Sequence, residues 1–377
     1  MKPLFIFLTI VIVCCLQFTI FAATGFANNV TGGAGGTVVT VTTAADFKTY
    51  TESTSTYIIQ VSGTIDLGSV GGGVRIRSNK TIKGIDANAK IIGRLGFRDD
   101  QTNVIIERLT ITNPSYGEAD GISIRDRVTN VFITKCTIYD CGDGGIDITN
   151  ASDFITVSWC KFYYTYDLGH NFVNLIGSGD EEYDDRGKLR VTFHNNWWGN
   201  MCKERMPRVR FGNVHIYNNY YSDLLSGGYC IGVGVESEIR IESNYFHSVP
   251  VAWKNYSGTP FTGKVGWDSG NIFYNCIISI WAPNNYSTIF VPPYSYNLSS
   301  ASDIPYLAES YAGAHTPYPP HWIDYLYGDF TRSGTVGIED LSEFAGYWLS
   351  DSTEADRDGD GNVDFYEFSL LAQNWGL

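Results

Sequence analysis

Apolar and polar residues alternate in short runs that return at near-regular intervals along the chain. NVIIERLTI (103–111), NVFITKCTI (130–138), FITVSWCKF (154–162), RVTFHNNWW (190–198), NVHIYNNYY (213–221) and EIRIESNYF (238–246) each read as an alternating strand. Aligned, one column holds Leu109, Cys136, Cys160, Asn196, Asn219 and Asn244, at spacings of 27, 24, 36, 23 and 25 residues. Repeats of that size are single units that cannot bury their apolar face alone and must stack. Stacked asparagines can hydrogen-bond along such a column. The pattern predicts an all-β fold, a right-handed parallel β-helix with one repeat per coil and an inserted loop around Gly177–Gly187. VVTVTT (38–43), YIIQVSGTIDL (57–67), RIRSNKTIKGI (75–85) and AKIIGRLGF (89–97) fit the first coils, and NIFYNCIISIW (271–281) the last. A propeller or sandwich would favour tighter hairpin turns than these irregular links.

The pattern also sets boundaries. Residues 1–23 read as a signal peptide, with Lys2, the apolar run Leu4–Val13 and the small pair Ala22–Ala23. The expected product is secreted and monomeric, with no membrane segment once the signal is cleaved. The β-helix is expected over 24–313, with its Pro- and Tyr-rich end as a closing strap, and 314–323 as a linker. Residues 324–377 form a separate small α-helical module. Net charge is −14, of which −10 falls on 324–377 and −4 on the remainder, so the acidity belongs to the tail. No basic patch of the kind that binds nucleic acid is present. Six cysteines follow the signal. Their even number permits disulfides in an oxidising compartment, and Cys136 and Cys160 share a column where either a bridge or stacked thiols would fit.

The tail carries two loops with oxygen donors at calcium-loop spacing. Asp356, Asp358, Asp360, Asn362 and Glu367 form the second, with Gly361 at the turn position. Asp329, Thr331, Ser333 and Asp340 form a weaker first loop, and short helices LSEFAGYWL and FSLLAQNW follow. This arrangement resembles a type I dockerin. The resemblance implies calcium binding and attachment to a cohesin-type scaffold protein, against the plainer reading of a calcium-stabilised cap.

Chemistry on the ladder centres on RMPRVR (205–210) and on the acids of Asp120-Gly121 and Asp143-Gly-Gly-Ile-Asp147. Asp-Gly pairs alone mark turns. Carboxylates on coils neighbouring an arginine strand instead predict a site for a cation and an anionic substrate together, with Asp120, Asp143 and Asp147 projecting from one outer face. All-oxygen ligands suit calcium. Trp197, Trp198, Trp253 and Tyr220 are candidates for stacking on sugars, with core packing the alternative.

From GFANNVTGGAGGTVVTVTT through DGISI, DGGIDI, VTFHNNWW and RMPRVRFGNVHIYNNYY to PPYSYNL, about residues 25–312, the chain resembles the pectate lyases of polysaccharide lyase family 1. The resemblance implies a calcium-dependent β-elimination on polygalacturonate or pectin. Asp120, Asp143 and Asp147 would hold the calcium, Arg205 would be the base and Arg210 a substrate-binding residue. Two departures stand out. Phe172 occupies the position of the family's substrate-binding lysine, and FITK at 132–135 replaces its W-I-D-H string. His170, Asn171 and Lys203 are candidates for the missing cation. Arginine is a weak base because its pKa lies above ~12 in ordinary sites, so like charge from Arg208, Arg210 and calcium would have to assist it. Alternatively Arg205 clamps charge while another group is the base. A calcium-free hydrolase on the same fold and a non-catalytic pectin-binding β-helix are the competing readings.

Overall fold

The computed structural model describes residues 23–114, 120–256, 262–280, 286–317, 338–349, 363 and 368. Its strands form three sheets of ten, nine and nine members, counted among the described residues, and every pair is parallel. Each coil contributes one strand to each sheet. One coil runs Thr129–Thr134 in the first sheet, Thr137–Tyr139 in the second and Ile146–Ile148 in the third. The next runs Asp153–Ser158, Lys161–Tyr163 and Asn174–Ile176. This is the expected parallel β-helix, with the insertion between Ile176 and Val191.

One correction concerns the strands. Each nine-residue run is two strands in different sheets, broken at a single residue in the left-handed region. Arg108, Lys135, Trp159, Asn195, Asn218 and Ser243 hold φ between 48° and 56°. Such residues cost roughly 1–2 kcal/mol each relative to right-handed backbone. The ladder offsets that cost because it is not interrupted there. Lys135 N–H donates to Ser158 O at 3.1 Å, Trp159 to His194 O at 3.2 Å and Asn218 to Glu242 O at 3.2 Å. Each bent residue therefore bonds the next coil as a strand residue would.

The asparagine column follows directly after the bend. Asn196, Asn219 and Asn244 are fully buried. The backbone N–H groups of Cys160, Asn196, Asn219 and Asn244 donate to the side-chain oxygens of Asn196, Asn219, Asn244 and Asn271, each at 2.9 Å. Asn219 Nδ2 donates in turn to Phe193 O and Tyr217 O, both at 2.9 Å. Inside, Phe162, Trp198, Tyr221, Phe246 and Phe273 stack ring on ring, with centroids 4.5–5.5 Å apart. Trp198 and Trp253 are thus core residues and not sugar platforms. The six described cysteines are all free thiols, so Cys136 and Cys160 stack without a bridge.

Helix α1 (Ala44–Glu52) covers the first coils, capped by Thr43 and burying Phe47. At the other end the chain turns back along the outside of the first sheet. Tyr294 OH meets His215 Nδ1 at 2.9 Å and Thr192 Oγ1 at 2.7 Å, and Tyr296 OH donates to Glu242 at 2.9 Å. The histidine of the GNVHIYNNYY string therefore anchors the strap. Helix α2 (Ile304–Tyr311) lies on Trp159 and Tyr220. Lys135, the last residue of the FITK string, donates to Thr316 Oγ1 at 2.6 Å and to the Tyr311 and Pro317 carbonyls. Residues 314–317, assigned from sequence to a linker, are docked by these bonds.

Helix α3 (Ile338–Tyr347) appears where the first tail helix was expected, and buries Phe344. Asp340 falls within it. Asp329, Thr331, Ser333, Asp356, Asp358, Asp360, Asn362 and Glu367 lie outside the described residues, as do residues 1–22.

Replacing Asn219 by leucine strands two carbonyls and the Asn196 N–H inside the stack. Thermal unfolding should show a loss on the order of 2–4 kcal/mol. A midpoint unchanged from wild type would mean the ladder is dispensable.

Candidate active site

The third sheet presents its outer face as a straight column, because strand register places every second residue outward. Arg75, Gly96, Ser123, Asp147, Leu175, Arg208, Gly232 and Lys254 follow one another coil by coil. Sequence spacing alone could not show that Asp147 and Arg208 share this column, because the inserted loop hides the register.

The three acids gather at the entry to this sheet. Asp120 stands two residues before Ile122 of the strand Ile122–Ile124, and its Oδ1 accepts the Gly144 N–H at 3.2 Å. Asp147 Oδ1 accepts the Leu175 N–H at 3.2 Å. A Cβ added to Gly144 would lie 2.4 Å from that same oxygen, so the glycine leaves the space the carboxylate needs. Asp143 is half-exposed, with an oxygen 3.2 Å from His170 Nε2. Asp120 is buried, so the acids are not all on an exposed face as the sequence suggested.

Burial, and then the charge of Asp143, push the Asp120 carboxyl up to about 7. Asp147 is raised well above the ordinary range by desolvation and by Asp120 and Asp143, against a smaller opposing effect of Arg205. Like charges held this close favour a proton or a cation between them. Their oxygen donors fit a hard divalent ion. Among the described residues, though, no three such side chains already converge as a finished metal cage.

Arg205 sits two coils beyond Asp147, across the coil that carries Asn174 and Leu175. Its φ is 63°, and its carbonyl accepts the Asn174 N–H at 2.6 Å. The guanidinium lies over the Phe172 ring, 4.6 Å from its centre. Phe172 contacts the His170 ring at 4.0 Å. Burial and the Arg205 charge lower the His170 pKa, with Asp143 opposing them, which favours a neutral imidazole near neutral pH.

The other expected residues divide. Arg210 is committed to Asp180 at 2.5 Å and to Gly177 O at 2.9 Å, so its charge is already partnered by the inserted loop. Lys203 lies against Gly228, and its carbonyl accepts the Tyr229 N–H. Asn171 is a turn brace, bonded to Leu168 N–H, Tyr166 O and Met201 O, and supplies no cation. Sequence reasoning missed Asp180, and also a cationic run further along the column. There the Tyr256 ring carries Arg208 at 4.3 Å and Lys254 at 5.0 Å. On the other side of the acids, Arg75, Arg94, Arg98 and Arg125 line a groove floored by Gly73 and Gly96.

The carboxyl shifts set a pH dependence for the metal-free protein. A carboxyl whose folded pKa is raised stabilises the fold fully below its unfolded pKa, and that contribution is lost as pH rises through the folded value. Asp120 should therefore cost stability between pH ~4 and about 7, by a few kcal/mol at most. Urea titrations at pH 5 and pH 8 should show the decline, Asp120→Asn should reduce it, and a divalent cation at pH 8 should reverse it. An Asp120→Asn protein with the wild-type slope would contradict this reading of the site.

Comparison with known proteins gives the family. The pectate lyase family model matches residues 1–316. A pectate trisaccharide-lyase of Bacillus licheniformis is 32% identical over 309 residues, covering 78% of this chain and 86% of the relative. Pectate lyase plyB of Emericella nidulans is 36% identical over 236 residues, covering 62% and 70%. Among solved structures, a pectate lyase from Bacillus sp. N165 in complex with trigalacturonate superposes with TM-score 0.62 at 28% identity, over 77% of this chain and 98% of that one. The cedar pollen allergen jun a 1 superposes with TM-score 0.66 at 25% identity, over 78% and 93%. The chain belongs to the pectate lyase family and is a polysaccharide lyase.

Proposed function

We propose that this protein is a secreted, calcium-dependent pectate lyase that cleaves polygalacturonate by β-elimination. The observation that carries the reading is the register that sets Asp147, with Asp120 and Asp143 beside it, two strands from the segment of Arg205 and Arg208 on one sheet. Each galacturonate bears a carboxylate on C6 beside the C5 hydrogen. Removing that hydrogen leaves an electron pair whose charge spreads into the carboxylate, so catalysis requires positive charge fixed at that point. Calcium held by Asp120, Asp143 and Asp147 would supply that charge as a Lewis acid.

The chain's own groups do the rest. As a neutral guanidine, Arg205 would take the C5 proton and pass it to the hydroxide left when water protonates the leaving oxygen. The C5–H electron pair becomes the C4–C5 double bond, the C4–O bond breaks, and the leaving oxygen acquires a proton from water. The products are oligogalacturonates with a 4,5-unsaturated end. Arg208 and Lys254 beyond Arg205, and the arginine-lined groove on the other side, supply positive charge along the path of an acidic polymer. His170 stands nearest the acids among the candidates for the missing cation. Lys203 and Arg210 would act on sugars further from the bond broken. Hydrolysis would need one carboxyl pair working as acid and base. The third carboxylate and the arginine field on Asp147 favour elimination.

The tail loops and the apolar leader extend the proposal. Residues 1–23 would direct export, and 324–377 would bind calcium and dock on a cohesin-type scaffold. Calcium titration of the full chain should lose one class of site in Glu367→Gln, and an unchanged titration would remove the basis for the docking role.

The elimination itself is read by ultraviolet absorbance, since only it creates a conjugated double bond. Absorbance should rise on polygalacturonate and cease with chelator. Reducing ends released without that absorbance would assign a hydrolase, and full activity in chelator would overturn the calcium site.

A further inference from the structure

We propose that Phe172 is a positioning residue for Arg205, doing by cation–π attraction what a charged neighbour cannot. The inference rests on the elimination reading. It starts from the contact itself, a guanidinium 4.6 Å from the ring centre. That separation is within the range in which a ring face attracts a cation. A lysine at 172 would repel Arg205. The phenyl ring attracts it instead and gives the planar guanidinium a planar support.

The ring is itself held. Phe172 N–H donates to His170 O at 2.8 Å, and Phe172 O accepts Tyr164 OH at 2.7 Å. Residue 172 forms a parallel bridge with Glu204, directly before Arg205, and Val173 N–H donates to Glu204 O at 3.0 Å. The backbone beneath the ring and the backbone that carries the arginine are therefore fastened together. The ring also packs on His170, with ring centroids 4.0 Å apart, and His170 lies 3.2 Å from Asp143. Arg205, Phe172, His170 and Asp143 form a continuous chain of contacts from the arginine to the acids. Such a bracket sets the distance between the proton acceptor and the point where substrate charge must be offset. Both must be in place before reaction for their effect to appear in kcat.

The inference separates from simple packing. Phe172→Leu keeps apolar bulk but has no ring face, while Phe172→Tyr keeps the face. In elimination assays on polygalacturonate, Phe172→Leu should lower kcat roughly five- to thirtyfold with KM moving less than about twofold. Phe172→Tyr should remain within about twofold of wild type. Circular dichroism and thermal melting establish that each variant is folded, and Phe172→Met serves the same comparison if the leucine variant is not. Wild-type kcat in a folded leucine or methionine variant, or equal losses in leucine and tyrosine variants, would overturn the positioning role. Absence of elimination by the wild-type protein would instead refute the reading on which it rests.

Discussion

The structure depends on the hydrogen bond that each bent residue makes to the coil beyond it. A β-helix has to turn a corner in every coil without leaving buried backbone groups unpaired. Here the corner is a single left-handed residue, with Lys135 and Trp159 bonding the next coil as if the strand continued. Because the corner consumes a fixed number of residues, coils stay in register across insertions. The loop between Ile176 and Val191 lengthens one coil, yet Leu175 still pairs with Arg208 and Asp147 with Leu175.

That register makes chemistry available. One outward column places Asp147 two strands from Arg208, with Arg205 at the start of the same segment. The acids gather because two Asp-Gly turns enter the third sheet in neighbouring coils, and glycine there lets backbone and carboxylate approach closely. The result is a site whose opposite charges are separated by one intervening coil and set by the register of the sheet. The field of Arg205 opposes the mutual repulsion of the carboxylates without cancelling it, which favours a proton or a cation between them.

Much of this was legible in the sequence. The asparagine column revealed the stack because a buried amide needs partners above and below, and it appears as a ladder extending to Asn271. The RMPRVR string and the Asp-Gly turns fall beside one and the same sheet. The bends were not legible, because Lys135 and Trp159 carry no sign of left-handed backbone. Nor was the burial of Asp120, or the tie between Arg210 and Asp180, which joins residues 30 apart through an inserted loop. The aromatic pattern misled at Trp198 and Trp253, because core-facing and outward positions of a β-helix carry similar residues. At Phe172 the sequence showed a missing lysine but not what the ring does instead. That required the fold to bring Arg205 over it.

The central claim is that the carboxylates and Arg205 act as one site. A double-mutant cycle on elimination rate, with Asp147→Asn, Arg205→Lys and both together, tests it most directly. If the two act on the same charge, the double variant should be little slower than the slower single one. Losses that multiply, with no coupling between the two positions, would contradict the account.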